Sequence, residues 1–130
     1  MGISRLDHVA IPVIDMGPMV AFYCSLGLRI DDELAPLMVS VCAGDMKLNL
    51  HYPDLWQSDF ELRGPRAEPG CGDVCMVWDG TEAELDTFLE GVDTIEGPVT
   101  RTGGKDQGSA TGTSRYIRDP EFNLLEFIIY

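Results

Sequence analysis

His8 and His51 are the only two histidines in this chain, and each stands in a short apolar run of alternating character, Leu6-Asp7-His8-Val9-Ala10-Ile11 and Lys47-Leu48-Asn49-Leu50-His51. A third run near the end, Leu124-Leu125-Glu126-Phe127-Ile128, carries one acid among apolar neighbours. Imidazole nitrogen and carboxylate oxygen are donors that suit divalent transition metals. Two imidazoles and a carboxylate on separate strands therefore suggest a metal site. Asp73, in Gly72-Asp73-Val74-Cys75-Met76-Val77-Trp78, offers a second carboxylate in a similar context.

The elements that must position these residues can be read from period and punctuation. Over residues 4–13, Val9, Ile11 and Val13 share one face and Leu6, His8 and Ala10 the other, the signature of a strand. Asp15 is placed to cap a helix over 16–25, with Pro18 in its first turn and Gly27 placed to stop it. Strands over 28–34, 37–43 and 46–52 follow, the last two joined by Gly44-Asp45, a hairpin pair. Residues 52–70 are rich in Pro, Gly and charge and read as a connector.

The order then recurs. A strand over 72–78 precedes the capping box Thr81-Glu82-Ala83-Glu84, which opens a helix through Leu85, Phe88 and Leu89 to Gly91. Strands over 94–101, 113–118 and 124–129 complete the second copy. The pattern predicts one α+β domain over residues 1–130, with module one over 4–52, a linker over 53–70 and module two over 71–130. Superposing the two patterns sets His8 opposite Asp73 and His51 opposite Glu126. Met46, Leu48 and Leu50 share one face of their strand, leaving Lys47, Asn49 and His51 on the other. Leu125, Phe127 and Ile129 likewise oppose Leu124, Glu126 and Ile128. Each module is expected to bury one face and to line a cavity with the other.

Composition narrows the class of function. A chain of 130 residues fits one core, and no window approaches the roughly 20 apolar residues of a membrane helix. The first residues lead into a strand without a signal-peptide core, which makes the cytoplasm the expected location. Nine Lys+Arg against 22 Asp+Glu give a net charge of −13, a field that repels nucleic acid and anionic membranes. Between Arg101 and Arg118, however, four cations, Arg101, Lys105, Arg115 and Arg118, face one acid, Asp106. This island reads either as solvated charge or as a landing place for an anionic substrate group, and the glycines at 103, 104, 108 and 112 either as a mobile loop or as its cradle. Cys24, Cys42, Cys71 and Cys75 are expected to be buried, reduced thiols. Cys71 and Cys75 stand about 13 Å apart if their strand is regular, too far to share one metal.

The tandem βαβββ pattern, Leu6-Asp7-His8-Val9 near the start and Arg118-Asp119-Pro120-Glu121-Phe122-Asn123-Leu124-Leu125-Glu126 at the end, resembles the vicinal oxygen chelate superfamily over essentially the whole chain. That superfamily includes glyoxalase I, extradiol dioxygenases, and fosfomycin- and bleomycin-resistance proteins. Within it, Lys47-Leu48-Asn49-Leu50-His51 and Glu96-Gly97-Pro98-Val99 look like a group of small, lactoylglutathione-lyase-like proteins. The resemblance implies tandem modules forming a curved mixed sheet around a central cavity. It implies one divalent ion (Ni, Co, Zn, Mn or Fe) held by His8, His51, Glu126 and Asp73, with open positions for two adjacent substrate oxygens. Glu126 or Asp73 would move the proton, and Asn49, Arg101, Lys105 and Tyr116 would contact the substrate. The implied activity is a metal-dependent glyoxalase-like lyase or isomerase acting on a small molecule, in a homodimer. Alternatives are Fe(II) extradiol ring cleavage and non-catalytic binding of an antibiotic or metabolite. Two departures from the usual pattern stand out: the ligand order is His, His, Asp, Glu, and Phe122 replaces a glycine in the final turn.

Overall fold

The alternation of the first apolar run produces β1 (His8–Pro12), shorter than the span expected. In the computed structural model, which describes every residue from Met1 to Tyr130, it is followed by α1 (Met16–Ser25), β2 (Arg29–Asp31), β3 (Met38–Ala43), β4 (Met46–His51) and a single turn of helix, α2 (Pro53–Trp56). These belong to a first compact unit, Met1–Gly72. Its strands lie in the order β1-β4-β3-β2, with β1 parallel to β4 and the other pairs antiparallel. One face of this sheet carries Ile11, Val39, Val41, Leu48 and Leu50, all buried together with Met16, Met19 and Tyr23 of α1. Each such side chain contributes roughly 1.5–3 kcal/mol by leaving water, so the apolar face fixes which way every strand points.

Local signals account for most boundaries. Asp15 occupies the N-cap position of α1, although its side chain makes no cap hydrogen bond. Gly27, at φ +78°, ends that helix where a side chain would be strained. The strand expected over 28–34 stops at Asp31, because the chain turns there: Glu33 N–H donates to the Asp31 carboxylate at 3.1 Å, and Ala35 N–H to Asp32 O at 3.0 Å. The stretch read as a connector is tied down as well. Leu55 is buried, and the Trp56 indole N–H donates to Val13 O at 2.9 Å.

The second unit, Asp73–Tyr130, repeats the plan: β5 (Asp73–Val77), α3 (Glu82–Phe88), β6 (Glu96–Thr102), the short turn α4 (Lys105–Gly108), β7 (Thr111–Arg118) and β8 (Leu124–Ile129). The sheet order is β5-β8-β7-β6, again with one parallel pair, β5 with β8. The α+β architecture of tandem βαβββ patterns is therefore present, as two four-stranded mixed sheets. The Thr81 capping box forms as expected, with Glu84 N–H donating to Thr81 Oγ1 at 3.2 Å and Thr81 N–H to Glu84 Oε2 at 2.7 Å. Leu85, Ile117, Leu125 and Phe127 fill this unit's apolar side. Among them lies Arg115, 4% exposed, paired through Nε with Asp86 Oδ1 at 2.7 Å and through Nη2 with Glu82 Oε2 at 3.5 Å. Both acids are on α3, so the pair fastens helix to sheet.

The final turn keeps its geometry without glycine. The buried Asp119 carboxylate accepts from Glu121 N–H at 2.9 Å, Asn123 N–H at 3.0 Å and the Asn123 amide at 2.8 Å. These bonds impose φ +69° on Phe122, whose ring is exposed. The cysteines depart from expectation: all four are free, but Cys24, Cys71 and Cys75 are exposed and Cys42 is half-buried. Cys42 pairs with Lys47 and Cys75 with Glu126, which sets both on the polar faces.

Two stability outcomes follow from these contacts. Phe122→Gly removes a left-handed penalty of about 1–2 kcal/mol and adds unfolded-state entropy worth about 0.4–1 kcal/mol, so urea unfolding should show a net gain; a loss would refute the strain. Asp86→Ala should cost about 2 kcal/mol by leaving a buried guanidinium under-paired, whereas Arg115→Met, leaving only exposed acids behind, should cost less in the same assay.

Candidate functional site

His8 opens β1, exposed, with Nδ1 2.7 Å from Asp7 Oδ1. That hydrogen bond, ahead of any other influence, holds the Asp7 carboxyl below its ordinary range. A ring whose Nδ1–H is taken by a carboxylate presents Nε2 with a free lone pair, the arrangement commonly found behind metal-ligating histidines. His51 closes β4, half-buried, on the same face. Burial first, and the electrostatic influence of His8 second, hold its imidazole below the usual value, which favours its neutral form.

The two histidines do not come together. His8 pairs with Lys47 and His51 with Pro12, which puts them four register positions apart, roughly 13 Å along the strands. The equivalence expected between His51 and Glu126 is corrected by the same registers. His8 is level with Lys47 and Asp73 with Leu124, so Asn49, two residues on from Lys47, corresponds to Glu126. Asn49 is 6% exposed and accepts the Ser40 hydroxyl at 2.8 Å. The correspondence of His8 with Asp73, each the first residue of its strand, is present.

In the second unit Asp73, Cys75 and Glu126 share one face. Cys75 lies directly across from Glu126, and Asp73 two positions before it. Tyr116 faces Glu126 from the other side, and the Ser114 hydroxyl donates to Glu126 Oε1 at 2.5 Å. Cys75 as a residue is exposed, but crowding around its sulfur first, and the Glu126 charge next, push its thiol up to about 12. It is a neutral thiol at any ordinary pH. Burial likewise raises Tyr116 above its usual value, against the opposing hydrogen bond from Arg101, so its hydroxyl stays protonated.

The cationic island disperses once folded. Arg101 donates through Nε to the Tyr116 hydroxyl at 3.0 Å and lies 5.5 Å from the centre of that ring. Lys105 instead stands over Tyr130 at 5.4 Å, and its backbone N–H donates to the Tyr130 hydroxyl at 3.2 Å. Arg118 bonds Phe122 O at 2.8 Å. Arg115 points to the helix side. Only Arg101 joins the polar face with Tyr116, Ser114 and Glu126. Ser114 is the functional candidate that sequence reasoning missed; its parity with Tyr116 on β7 was the available signal.

No three His, Cys, Asp or Glu side chains within either unit gather closely enough to hold an ion alone. The donors nevertheless fit a divalent ion in kind: an imidazole backed by a carboxylate, and a carboxylate held by the Ser114 hydroxyl.

Comparison with known proteins identifies the family to which this fold belongs. The chain belongs to the glyoxalase/bleomycin resistance protein/dioxygenase superfamily, whose family model matches residues 5–127. It is 32% identical over 134 aligned residues to a glyoxalase domain-containing protein of Mycosarcoma maydis, spanning 100% of this chain and 70% of that protein. The crystal structure of a virulence protein of Salmonella typhimurium superposes with a TM-score of 0.86 at 31% identity, covering 100% of this chain and 99% of the other. A lactoylglutathione lyase from Agrobacterium tumefaciens superposes with a TM-score of 0.72 at 26% identity, covering 99% and 96%. Members of this superfamily commonly bind a divalent metal and small molecules. No helix here is long and apolar enough to cross a membrane.

The thiol chemistry is directly testable in metal-free protein. At pH 8 a thiol of pKa about 12 is roughly one part in ten thousand thiolate, so Cys75 should alkylate far more slowly than exposed Cys71, read by peptide mass spectrometry. Glu126→Gln should speed Cys75; equal rates for both cysteines in the wild type would contradict this environment.

Proposed function

We propose that this chain is a metal-dependent glyoxalase-like lyase or isomerase acting on a small molecule with two adjacent oxygens. The observation that carries this reading is the pair of prepared donors, His8 backed by Asp7 and Glu126 held by Ser114. Similarity to a lactoylglutathione lyase supports it. His8, Asp73 and Glu126 are the proposed ligands. His51 is the fourth in the sequence pattern, and Asn49 competes for that place because it stands at the register position corresponding to Glu126.

A bound divalent ion supplies Lewis-acid polarisation of the substrate oxygens. The remaining work falls to the chain. A carboxylate beside the reacting carbon takes and returns the proton, and proximity selects Glu126 or Asp73 for this task. Arg101 offers guanidinium hydrogens to an anionic substrate group, with the protonated Tyr116 hydroxyl beside it. Asn49 contributes an amide to orient a substrate oxygen, and Lys105 a more distant positive charge. A homodimer is the proposed assembly. Extradiol ring cleavage is less well supported, because the two-His, one-carboxylate set it uses needs His8 and His51 together, and they stand four register positions apart.

The test is the metal content of reconstituted, desalted protein by elemental mass spectrometry. About one divalent ion per chain is expected in wild type, with sharp loss in His8→Ala and Glu126→Ala. Asn49→Ala and His51→Ala decide the fourth position: the variant that loses metal names the ligand. Absence of metal from folded wild type, together with tight binding of a small molecule without turnover, would replace this reading with a non-catalytic binding protein.

A further inference from the structure

Two cations distant in sequence meet on one row of the first sheet. Arg29 of β2 pairs with Cys42 of β3, and Cys42 pairs with Lys47 of β4, so all three side chains project from the same face. With neighbouring strands about 4.8 Å apart, the two cations start roughly 10 Å from each other, within reach of a single small group between them. Together with Cys42 they line an open cavity of about 290 Å³, which Asp7 and Asp45 also border.

Neither cation is matched by a carboxylate at ion-pair distance. The Arg29 guanidinium donates from Nη2 to the Cys42 sulfur at 3.2 Å, and its Nε and Nη1 hydrogens remain free. The Lys47 ammonium makes no hydrogen bond and acts on Asp7 only through longer-range attraction. The two bordering acids are engaged elsewhere, Asp45 Oδ2 with Arg5 Nη1 at 3.0 Å and Asp7 Oδ1 with His8 Nδ1 at 2.7 Å. With Arg5 counted beside Asp45, three cations surround the cavity against two acids, a local positive excess in a chain of net charge −13. The row itself, His8, Lys47, Cys42 and Arg29, holds no acid at all. Such a spot draws anions inward while the molecule as a whole repels them.

We propose that this cavity is a binding site for a compact dianion of the phosphate type, held by Arg29 and Lys47 with Cys42 at its floor. The donor set carries the assignment. Arg29 presents hydrogens in a rigid fork that matches paired oxygens, and Lys47 presents three more on a movable ammonium from the other side. Two positive charges call for two negative ones, which a single carboxylate does not supply. The bond to the Cys42 sulfur keeps the guanidinium across the cavity floor, so little ordering is left for the ligand to impose. The site lies wholly within the first unit and uses none of the proposed metal ligands, so it stands or falls apart from the metal reading.

The test uses metal-free, full-length protein with inorganic phosphate as the probe, titrated against sodium chloride at matched ionic strength and followed by nitrogen–proton NMR. Saturable shifts are expected at the Arg29 Nε–H and at the backbone amides of Cys42 and Lys47, with half-saturation in the millimolar range. Arg29→Gln and Lys47→Gln should each weaken binding about threefold or more, at unchanged thermal midpoint. Acetate should bind more weakly than phosphate. A second readout uses Cys42 itself: the ratio of iodoacetate to iodoacetamide rates should be about threefold or more higher there than at exposed Cys71 of the same molecule, and should fall in both variants. No saturable shift overturns the site, and shifts that survive both variants reveal an adventitious ion only. Acetate binding as tight as phosphate overturns the dianion. Iodoacetate disfavoured at Cys42 as strongly as at Cys71, or a Cys42 inert to both reagents, overturns the open cationic cavity.

Discussion

The register of one parallel strand pair in each unit is the constraint on which the rest depends. Side chains alternate faces with period two, so a slip of one residue between β5 and β8 would turn Glu126 toward the helix and Phe127 toward water. Burial of Leu125 and Phe127 on one side forbids the slip, as burial of Leu48 and Leu50 does in the first unit. The apolar faces thereby set the heights at which Asp73, Cys75, Glu126 and Tyr116 meet. Placement of the polar chemistry is a by-product of hydrophobic packing on the opposite side of the sheet.

This division explains what was legible in the sequence. The strands, the Thr81 capping box and the facing of each residue are local properties, carried by spacing within a few positions, and the fold could be recognised from them. The register between strands distant in sequence is set by tertiary packing. That is why His51 looked equivalent to Glu126 when Asn49 holds the corresponding position. The cationic cluster misled for a similar reason. Neighbours in sequence on β7 point to opposite faces, so Arg115 is buried beneath α3 while Tyr116 meets Glu126. Ser114 carried only its parity with Tyr116, a signal that becomes specific once the neighbour across the sheet is known.

The two units share a chain plan but differ in the character of their polar faces. In the first, one row across the sheet reads His8, Lys47, Cys42, Arg29, with the Arg29 guanidinium 3.2 Å from the Cys42 sulfur. In the second, the corresponding rows carry Asp73 and Glu126, with Cys75 and Tyr116 paired across from Glu126 and the Ser114 hydroxyl bonded to it. Repetition of a backbone with divergence of one face is how a symmetric scaffold acquires an asymmetric site, since the apolar face alone is needed to keep the fold.

The parallel pairing also orders events in time. The β3–β4 and β7–β8 hairpins close across a few residues, whereas β1 meets β4 and β5 meets β8 only after about 40 and 50 residues of intervening chain. Both late strands sit at the end of their sheet order, hydrogen-bonded on one side alone. They are the last segments whose loop entropy is recovered during folding and the natural first to detach in local opening. His8 and Asp73 ride on those strands, and Glu126 on the earlier-formed hairpin. Anything that bridges the two kinds of strand acts as a rivet on the least durable seam of its unit, and amide exchange along β1 and β5 would register its arrival.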